Sequence, residues 1–179
     1  MIKYGVIKDA SFFAKLEKGG LETIRHDARL LEKIVSRCAK IKAAIVAADE
    51  MDKSGVRIIL NFGHTTGHAI EAASGFSGRY THGEAVAVGM LVACDIAASL
   101  GILKDRPLTE RLEKTLLKFG LPVYTKALST EAVLKAMGYD KKSEDQKNRF
   151  VLPVKLGQMT VESDVPLSVI EEALTKRKR

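Results

Sequence analysis

Apolar residues recur every three or four positions over much of the chain, a period that predicts helices. The longest such stripe comprises Leu31, Ile34, Cys38, Ile41, Ile45 and Ala48, and it predicts an amphipathic helix over about residues 27–50. Further helices are predicted over residues 62–73 and 82–100, around Leu108, Leu112, Leu116 and Leu117 up to Gly120, over residues 130–137, and after Pro166. The chain should therefore be dominated by helices.

Two short stretches have instead the alternating, β-branched pattern of strands. Residues 149–153 and 158–162, joined through Lys155, Leu156 and Gly157, predict a hairpin. Ser168 and Glu171 have the spacing of a capping box that would open the last helix. The predicted fold class is mainly α, a helical bundle with one small two-stranded β hairpin.

Length and composition predict one domain. The chain has 179 residues, 46% hydrophobic and 28% charged, enough for a single compact domain over residues 1–179 and too few for two of full size. The most apolar run, residues 85–100, is interrupted by Gly89 and Asp95 and is shorter than the roughly 20 residues of a membrane span. It predicts a buried central helix and no membrane partner. No glycine-rich phosphate loop is present, so we expect no dinucleotide-binding domain within this chain.

Charge and cysteine usage favour an ordinary cytoplasmic protein. The net charge of +7 is partly concentrated in the tail, residues 176–179, which we interpret as a solvated helix end and not as a nucleic-acid contact. Cys38 and Cys94 both lie in apolar helical patterns, which is typical of small buried side chains in a reducing compartment. No apolar stretch follows Lys3 and Lys8, so no secretory signal is predicted.

Candidate chemistry is concentrated in three of the four histidines, His64, His68 and His82, which lie within nineteen residues of one another. On a helix, His64 and His68 would project from one face about one turn apart, and the loop before His82 could return it beside them. Imidazole is the commonest protein ligand of divalent transition metals. The pattern thus predicts part of a metal site, although two histidines at this spacing are more often surface or core residues that bind no metal.

The glycines beside the histidines strengthen the metal interpretation. Gly63 and Gly67 stand directly before His64 and His68, and glycine costs roughly 1 kcal/mol relative to alanine inside a helix. Close approach of a ligand or of a second helix would explain that cost. The residue after His64 is a threonine, so the His-Glu-x-x-His pattern of metalloproteases is excluded.

Several motifs together resemble a known family. They are Ile2-Lys-Tyr-Gly5, Ala48-Asp-Glu50, Arg57, Asn61-Phe-Gly-His-Thr-Thr-Gly-His-Ala-Ile-Glu71, His82-Gly-Glu-Ala-Val-Ala-Val-Gly-Met90, Gly120-Leu-Pro122 and Asp140-Lys-Lys142. In this order they resemble the C-terminal half of the 3-dehydroquinate synthases, over nearly the whole chain. The resemblance implies a helical metal domain that faces a separate N-terminal NAD-binding domain across the active-site cleft, the latter being absent from this chain.

The resemblance also implies roles for individual residues. His64 and His82 would be the two histidine ligands of a catalytic zinc, and His68 would contact the substrate and take part in proton transfer. The third ligand of the family is a glutamate that would come immediately before Met1. Glu84 is interpreted as a carboxylate that orients His82 or starts its helix. The residues matching cleft positions that bind the substrate are Lys3, Lys42, Arg57, Asn61, Lys141 and Lys142.

The implied reaction of the whole enzyme converts 3-deoxy-arabino-heptulosonate 7-phosphate into 3-dehydroquinate and phosphate, in the shikimate route to aromatic amino acids. The implied cofactors are Zn²⁺, with Co²⁺ as a substitute, and NAD, which is used and regenerated in one turnover. The implied partners are the phosphorylated sugar-acid substrate, the NAD-binding half and a second copy in a homodimer. Without the glutamate and the NAD-binding half, we expect the isolated chain to bind zinc weakly and to be inactive.

Two alternatives remain open from the sequence. Sugar-phosphate cyclases that make inosose or valiolone rings share the helical domain and its histidines, so the substrate could differ. The chain could also be a non-catalytic helical module, in which the histidines are ordinary core or surface groups. Metal content separates the second alternative, and a comparison of sugar-phosphate substrates separates the first.

Overall fold

The computed structural model describes residues 1–51, 55–75, 78–139 and 148–179. The helices are α1 (Ile2–Lys8), α2 (Ala10–Lys18), α3 (Leu21–Arg25), α4 (Ala28–Ala48), α5 (His64–Ala73), α6 (His82–Ser99), α7 (Leu108–Lys118), α8 (Thr130–Ala136) and α9 (Leu167–Lys176), with a 3₁₀ helix at Val56–Asn61. The strands β1 (Phe150–Lys155) and β2 (Gln158–Glu162) form one antiparallel sheet. The mainly helical fold with one hairpin is confirmed.

Helix α6 is the centre of the core. Thirteen of its 18 residues are buried, and α5, α7, α9 and the hairpin pack around it. By length and composition alone α6 could cross a membrane, but a helix buried inside its own protein passes the same test. The prediction of a buried central helix is confirmed, and it shows that the apolar run serves packing.

The two strands of the hairpin pair as their pattern predicted, and the hairpin contacts α1. Val151 pairs with Val161, and the register shifts by one residue between Pro153 and Lys155, a bulge beside a proline that cannot donate to the ladder. The amide of Gly157 in the turn donates to the carbonyl of Val6 at 2.9 Å. This contact joins the hairpin to α1.

Three short N-terminal helices were not predicted from the sequence. Asp9 starts α2, since its carboxylate accepts the amide N–H of Phe12 at 3.0 Å. Helix α1 lies so close to α2 that a Cβ on Gly5 would be 2.9 Å from the Cβ of Phe13. Segments of five to nine residues are too short for a helical period to be distinctive.

The apolar stripe of α4 is confirmed at its centre and wrong at its ends. Ile34, Ile41 and Ile45 are buried, whereas Leu31 is 46% exposed and Ala48 is also exposed. The first turn packs Leu30 against the core in place of Leu31. A stripe spaced at three and four residues drifts around a helix of 3.6 residues per turn, so its outermost members leave the buried face.

The C-terminal tail is only in part the solvated helix end that the sequence predicted, since Lys176, Lys178 and Arg179 are exposed and Arg177 is buried. The side chain of Arg177 is 4% exposed, and its guanidinium donates to Asp95 at 2.6 Å and to Glu113 at 2.6 Å. Beyond it, Arg179 donates its amide to the carbonyl of Thr125 at 2.9 Å. A buried carboxylate on α6 needs a cation, and the tail supplies it.

The predicted capping box of the last helix is also wrong. Helix α9 begins at Leu167 directly after Pro166, with no side-chain hydrogen bond at its cap, so Ser168 lies inside the helix.

Of the two cysteines, Cys94 is fully buried as expected and Cys38 is half-buried; neither is in a disulfide. Burial raises the pKa of the Cys94 thiol, as expected for a small apolar side chain in the core.

Candidate metal centre

Glycines set the distance between the two helices that carry the histidines. Gly63 precedes α5 with φ +79°, and a Cβ there would be 2.8 Å from the backbone nitrogen of Met90 on α6. A Cβ on Gly89 would be 2.1 Å from the carbonyl oxygen of Gly63, and one on Gly67 would be 3.0 Å from the side chain of Val86. The predicted close approach of a second helix is confirmed. The two backbones are in contact.

This contact brings the three histidine side chains together. His64 is the first residue of α5, His68 follows one turn later, and His82 is the first residue of α6. The ring centroids are 5.5 Å apart for His64 and His68, 5.2 Å for His64 and His82, and 5.7 Å for His68 and His82. Three imidazoles at these separations can address one cation. The convergence on which the sequence argument depended is therefore present.

His64 contacts protein groups through both ring nitrogens. Its Nδ1 lies 3.2 Å from the carbonyl oxygen of Phe62, which places the proton on Nδ1, and its Nε2 lies 3.5 Å from Nζ of Lys3. Lys3 in turn donates to the carbonyl of Leu60 at 2.7 Å. Burial, with the charge of nearby Lys42, lowers the pKa of Lys3 to about 8. At neutral pH Lys3 remains mostly protonated and can face an anion.

The protonation of His64 is directly testable. Burial and, after it, the charge of Lys3 lower the pKa of His64 from 6.5 to about 4. Because an unfolded imidazole binds its proton near 6.5, the stabilising contribution of neutral His64 is present above that pH and is lost as the pH falls toward 4. In the metal-free protein, Lys3→Met should raise the pKa of His64 while leaving it below 6.5, since burial remains. NMR titration of the ring Cε1–H signals measures this shift; an unchanged His64 pKa would contradict it.

Glu71 lies at the cluster, although no role was predicted for it from the sequence. Its Oε2 lies 3.1 Å from Nδ1 of His82, and its side chain is 18% exposed against 55% for His82. One ligand atom each from His68, Glu71 and His82 lie within 4.8 Å of one another. The sequence spacing could have indicated Glu71, because it follows His68 by three residues and therefore lies on the same face of the helix.

The start of α6 fixes His82 in place. Thr81 and Glu84 form a capping box, in which each side chain accepts the backbone N–H of the other. Glu84 is therefore a helix-start carboxylate, one of its two expected roles. Tyr80 anchors the preceding loop, since its hydroxyl accepts the amide N–H of Lys126 at 2.6 Å. His82 thus enters the site from a backbone held on both sides.

The predicted substrate-binding residues are placed only in part. Lys3 lies beside His64, and Lys42 on α4 is near enough to Lys3 to lower the pKa of Lys3. Arg57 and Asn61 are exposed on the 3₁₀ helix that leads into α5, and the amide of Arg57 donates to a carboxylate oxygen of Asp49 at 3.3 Å. Lys141 and Lys142 lie outside the described residues. Of the described cations, Lys3 thus contacts the histidine cluster, and Lys42 lies near Lys3.

Comparison with known proteins defines the family. The family model described as "3-dehydroquinate synthase C-terminal" matches residues 1–143, and the chain belongs to this family. A 3-dehydroquinate synthase of Nitrosospira multiformis is 40% identical over 176 residues, 98% of this chain and 47% of that protein. One of Desulforamulus reducens is 45% identical over 166 residues, 92% of this chain and 45% of that protein. The chain spans about half the length of the curated relatives it matches.

Solved structures of related cyclases share the fold. A 2-epi-5-epi-valiolone synthase from Streptomyces hygroscopicus, with NAD⁺ and Zn²⁺ bound, superposes with a TM-score of 0.79 at 24% identity, covering 98% of this chain and 48% of that one. A 2-deoxy-scyllo-inosose synthase complexed with carbaglucose-6-phosphate, NAD⁺ and Co²⁺ gives 0.78 at 24% identity, covering 98% and 50%. At this identity the likeness shows the fold.

Proposed function

We propose that this chain is the metal- and substrate-binding part of a 3-dehydroquinate synthase, acting on 3-deoxy-arabino-heptulosonate 7-phosphate in the cytoplasm. The observation that carries the proposal is the convergence of three imidazoles beside Lys3, in a chain 40–45% identical to curated enzymes of that name. The inosose and valiolone cyclases are less similar in sequence, at 24% or below, so the dehydroquinate substrate is favoured over theirs.

The donor set suits a zinc-class cation. Imidazole nitrogens and a carboxylate are the ligands of catalytic zinc sites, which keep one position open for substrate. The resemblance assigns His64 and His82 as ligands, and both rings lie at the cluster. When bound, the cation would supply Lewis-acid activation of a substrate hydroxyl. This fit disfavours the reading of the chain as a non-catalytic module.

The chain's own side chains would bind and orient the substrate. The carboxylate and phosphate of the substrate are anionic, and Lys3, which contacts His64, would attract them together with nearby Lys42. Arg57 can hold both oxygens of a carboxylate through its planar fork, whereas the lysines supply point charges. Asn61 would hydrogen-bond substrate hydroxyls, and His68, exposed at the cluster, would move a proton. Lys141 and Lys142 belong to the same proposal through their motif.

Hydride transfer requires NAD, so the proposal includes an NAD-binding half that acts with this chain. The relatives are about twice as long as the part that matches, which leaves room for such a domain. Turnover should therefore depend on both this chain and the NAD-binding half. A homodimer is part of the same proposal.

A chimera tests the proposed function. We would fuse the amino-terminal half of the Desulforamulus reducens relative to this chain and measure phosphate release with NAD and Zn²⁺. We expect turnover of the heptulosonate phosphate, none of sedoheptulose 7-phosphate, and none by the 179-residue chain alone. His82→Asn should abolish turnover, whereas His26→Asn, at the exposed residue that follows α3, should not change it.

Three results would count against the proposal. They are phosphate release by the chain alone, a preference of the chimera for sedoheptulose 7-phosphate, and a folded chimera without any turnover. Circular dichroism and size-exclusion chromatography establish that the chimera is folded, with the intact relative as the reference.

A further inference from the structure

The hydroxyl group of Tyr80 holds the loop that leads into α6. It accepts the amide N–H of Lys126 at 2.6 Å and donates to the carbonyl of the same residue at 3.2 Å. Tyr80 packs against the core two residues before His82, the first residue of α6. Earlier in this loop, a Cβ on Gly75 or Gly78 would meet no atom within 4 Å. The hydroxyl therefore ties a loosely packed loop to a distant part of the chain.

The C-terminal tail, residues 177–179, holds the residue next to Lys126. The N–H of Thr125 donates to the carbonyl of Arg177 at 2.7 Å, and the carbonyl of Thr125 accepts the N–H of Arg179 at 2.9 Å. The buried hydroxyl of Thr125 lies 3.2 Å from the same carbonyl of Arg177. The tail thus pairs with both backbone groups of Thr125, and Tyr80 pairs with both backbone groups of Lys126.

The backbone of the following residue indicates that these contacts determine the loop. Ala127 has φ +54°, in the left-handed region that side chains rarely adopt. Such a conformation persists where the surrounding structure imposes it. A guanidinium nitrogen of Arg79 also donates to the carbonyl of Ala127 at 3.4 Å, which adds a contact between the two loops. Residues 124–127 are therefore a fixed support for the loop before α6.

We propose that Tyr80 is a positioning residue for His82, and that the C-terminal tail acts on the histidine cluster through Tyr80. The side chain of His82 is 55% exposed, so its direction depends largely on the backbone that presents it. A misplacement of about 1 Å at a reacting group can cost about 100-fold in rate. The inference rests on the role of His82 in the proposed function and adds residues that contact neither the reacting groups nor the substrate.

Tyr80→Phe removes the hydroxyl alone and is the first test, made by NMR on the metal-free chain. The amide of Lys126 should exchange its hydrogen about 3- to 10-fold faster, as expected for the loss of one hydrogen bond. The ring Cε1–H signal of His82 should shift and broaden, because the ring then samples more positions. The signal of exposed His26 should stay in place.

Tyr124→Phe is the matched control, since it removes the same atom from the supporting loop. The hydroxyl of Tyr124 lies 3.5 Å from Glu113 and takes no part in the contact with Tyr80. Both the exchange of Lys126 and the His82 signal should be unchanged in this variant.

Arg179→Pro tests the contribution of the tail. Proline lacks the N–H that Arg179 donates to Thr125, and it suits this position because Lys178 before it forms a β-bridge. Arg179→Ala keeps the N–H and is the control. We expect Arg179→Pro to move the His82 signal in the parent chain and to move it no further in Tyr80→Phe, because the effect passes through Tyr80.

Kinetics of the chimera supply a second measurement. Tyr80→Phe should lower kcat about 10-fold and leave KM for the heptulosonate phosphate within about twofold, since the cations that attract the substrate are untouched. A raised KM with an unchanged kcat would overturn the inference. So would an unchanged His82 signal in Tyr80→Phe, an equal effect of Tyr124→Phe, or an effect of Arg179→Pro that is the same with and without the hydroxyl. A chimera without turnover counts against the proposed function alone, because the NMR measurements need no turnover.

Discussion

Alanine in place of Gly89 should greatly destabilise the chain. The added Cβ would lie 2.1 Å from the carbonyl oxygen of Gly63 and 3.0 Å from the amide nitrogen of Gly67, and neither backbone atom can rotate away. Helices α5 and α6 would have to separate. Overpacking costs about 1–3 kcal/mol where side chains can adjust, so we expect about 3 kcal/mol or more here. Urea unfolding followed by far-UV circular dichroism measures the loss.

Gly83→Ala is the matched control for this prediction. Gly83 lies on the same helix, and a Cβ there would have no neighbour within 4 Å. Alanine also favours the helix over glycine, so stability should be unchanged or higher by up to about 1 kcal/mol. Equal unfolding midpoints for Gly89→Ala and the parent would show that the two helices are not in backbone contact.

Asp95→Asn should be the second large loss. Asp95 and Arg177 are both 4% exposed, and the substitution removes the negative charge while keeping the shape of the side chain. The only carboxylate that would still pair with Arg177 among the described residues is that of Glu113, whose side chain is 27% exposed. Breaking a buried ion pair typically costs about 3–5 kcal/mol, because the remaining charge is left without its partner. The same urea experiment measures this cost.

Lys176→Met provides the comparison within the same cluster. Lys176 donates to the same carboxylate at 2.8 Å, but its side chain is 62% exposed, so its loss should cost less than about 1 kcal/mol. The double replacement Asp95→Leu with Arg177→Met should cost less than Asp95→Asn alone, since neither buried charge is then left unpaired. If Asp95→Asn and Lys176→Met were equally mild, the buried pair would not stabilise the fold.

The parts of the fold that were predictable carry local signals. Helix α6 has a continuous apolar run, and the hairpin has alternation on both sides of a turn. The histidine cluster was predictable for a related reason. His64 and His68 are spaced by about one helix turn, and the glycines directly before them, Gly63 and Gly67, indicated a close neighbour. Local patterns thus gave both the elements and the candidate site.

The parts that were missed depend on contacts between distant residues. Arg177 looks like one of four tail cations in the sequence, and only its contact with Asp95, 82 residues away, shows that it is buried. Glu71 shares a helix face with His68, but only its contact with His82, eleven residues later, shows that it lies at the cluster. The roles of Lys42, Arg57 and Asn61 stay predictions. They rest on the resemblance and on the exposure of these three side chains.

The glycine contact between α5 and α6 has a consequence for protein engineering. The spacing of the imidazoles is set where the main chain of α6 contacts that of α5, so the apolar side chains of the interior act on it only indirectly. A mutagenesis library could therefore vary interior positions such as Leu112 or Ile170 among apolar residues of similar size while the three imidazoles stay together. The same library would need to keep Gly63, Gly67 and Gly89 invariant.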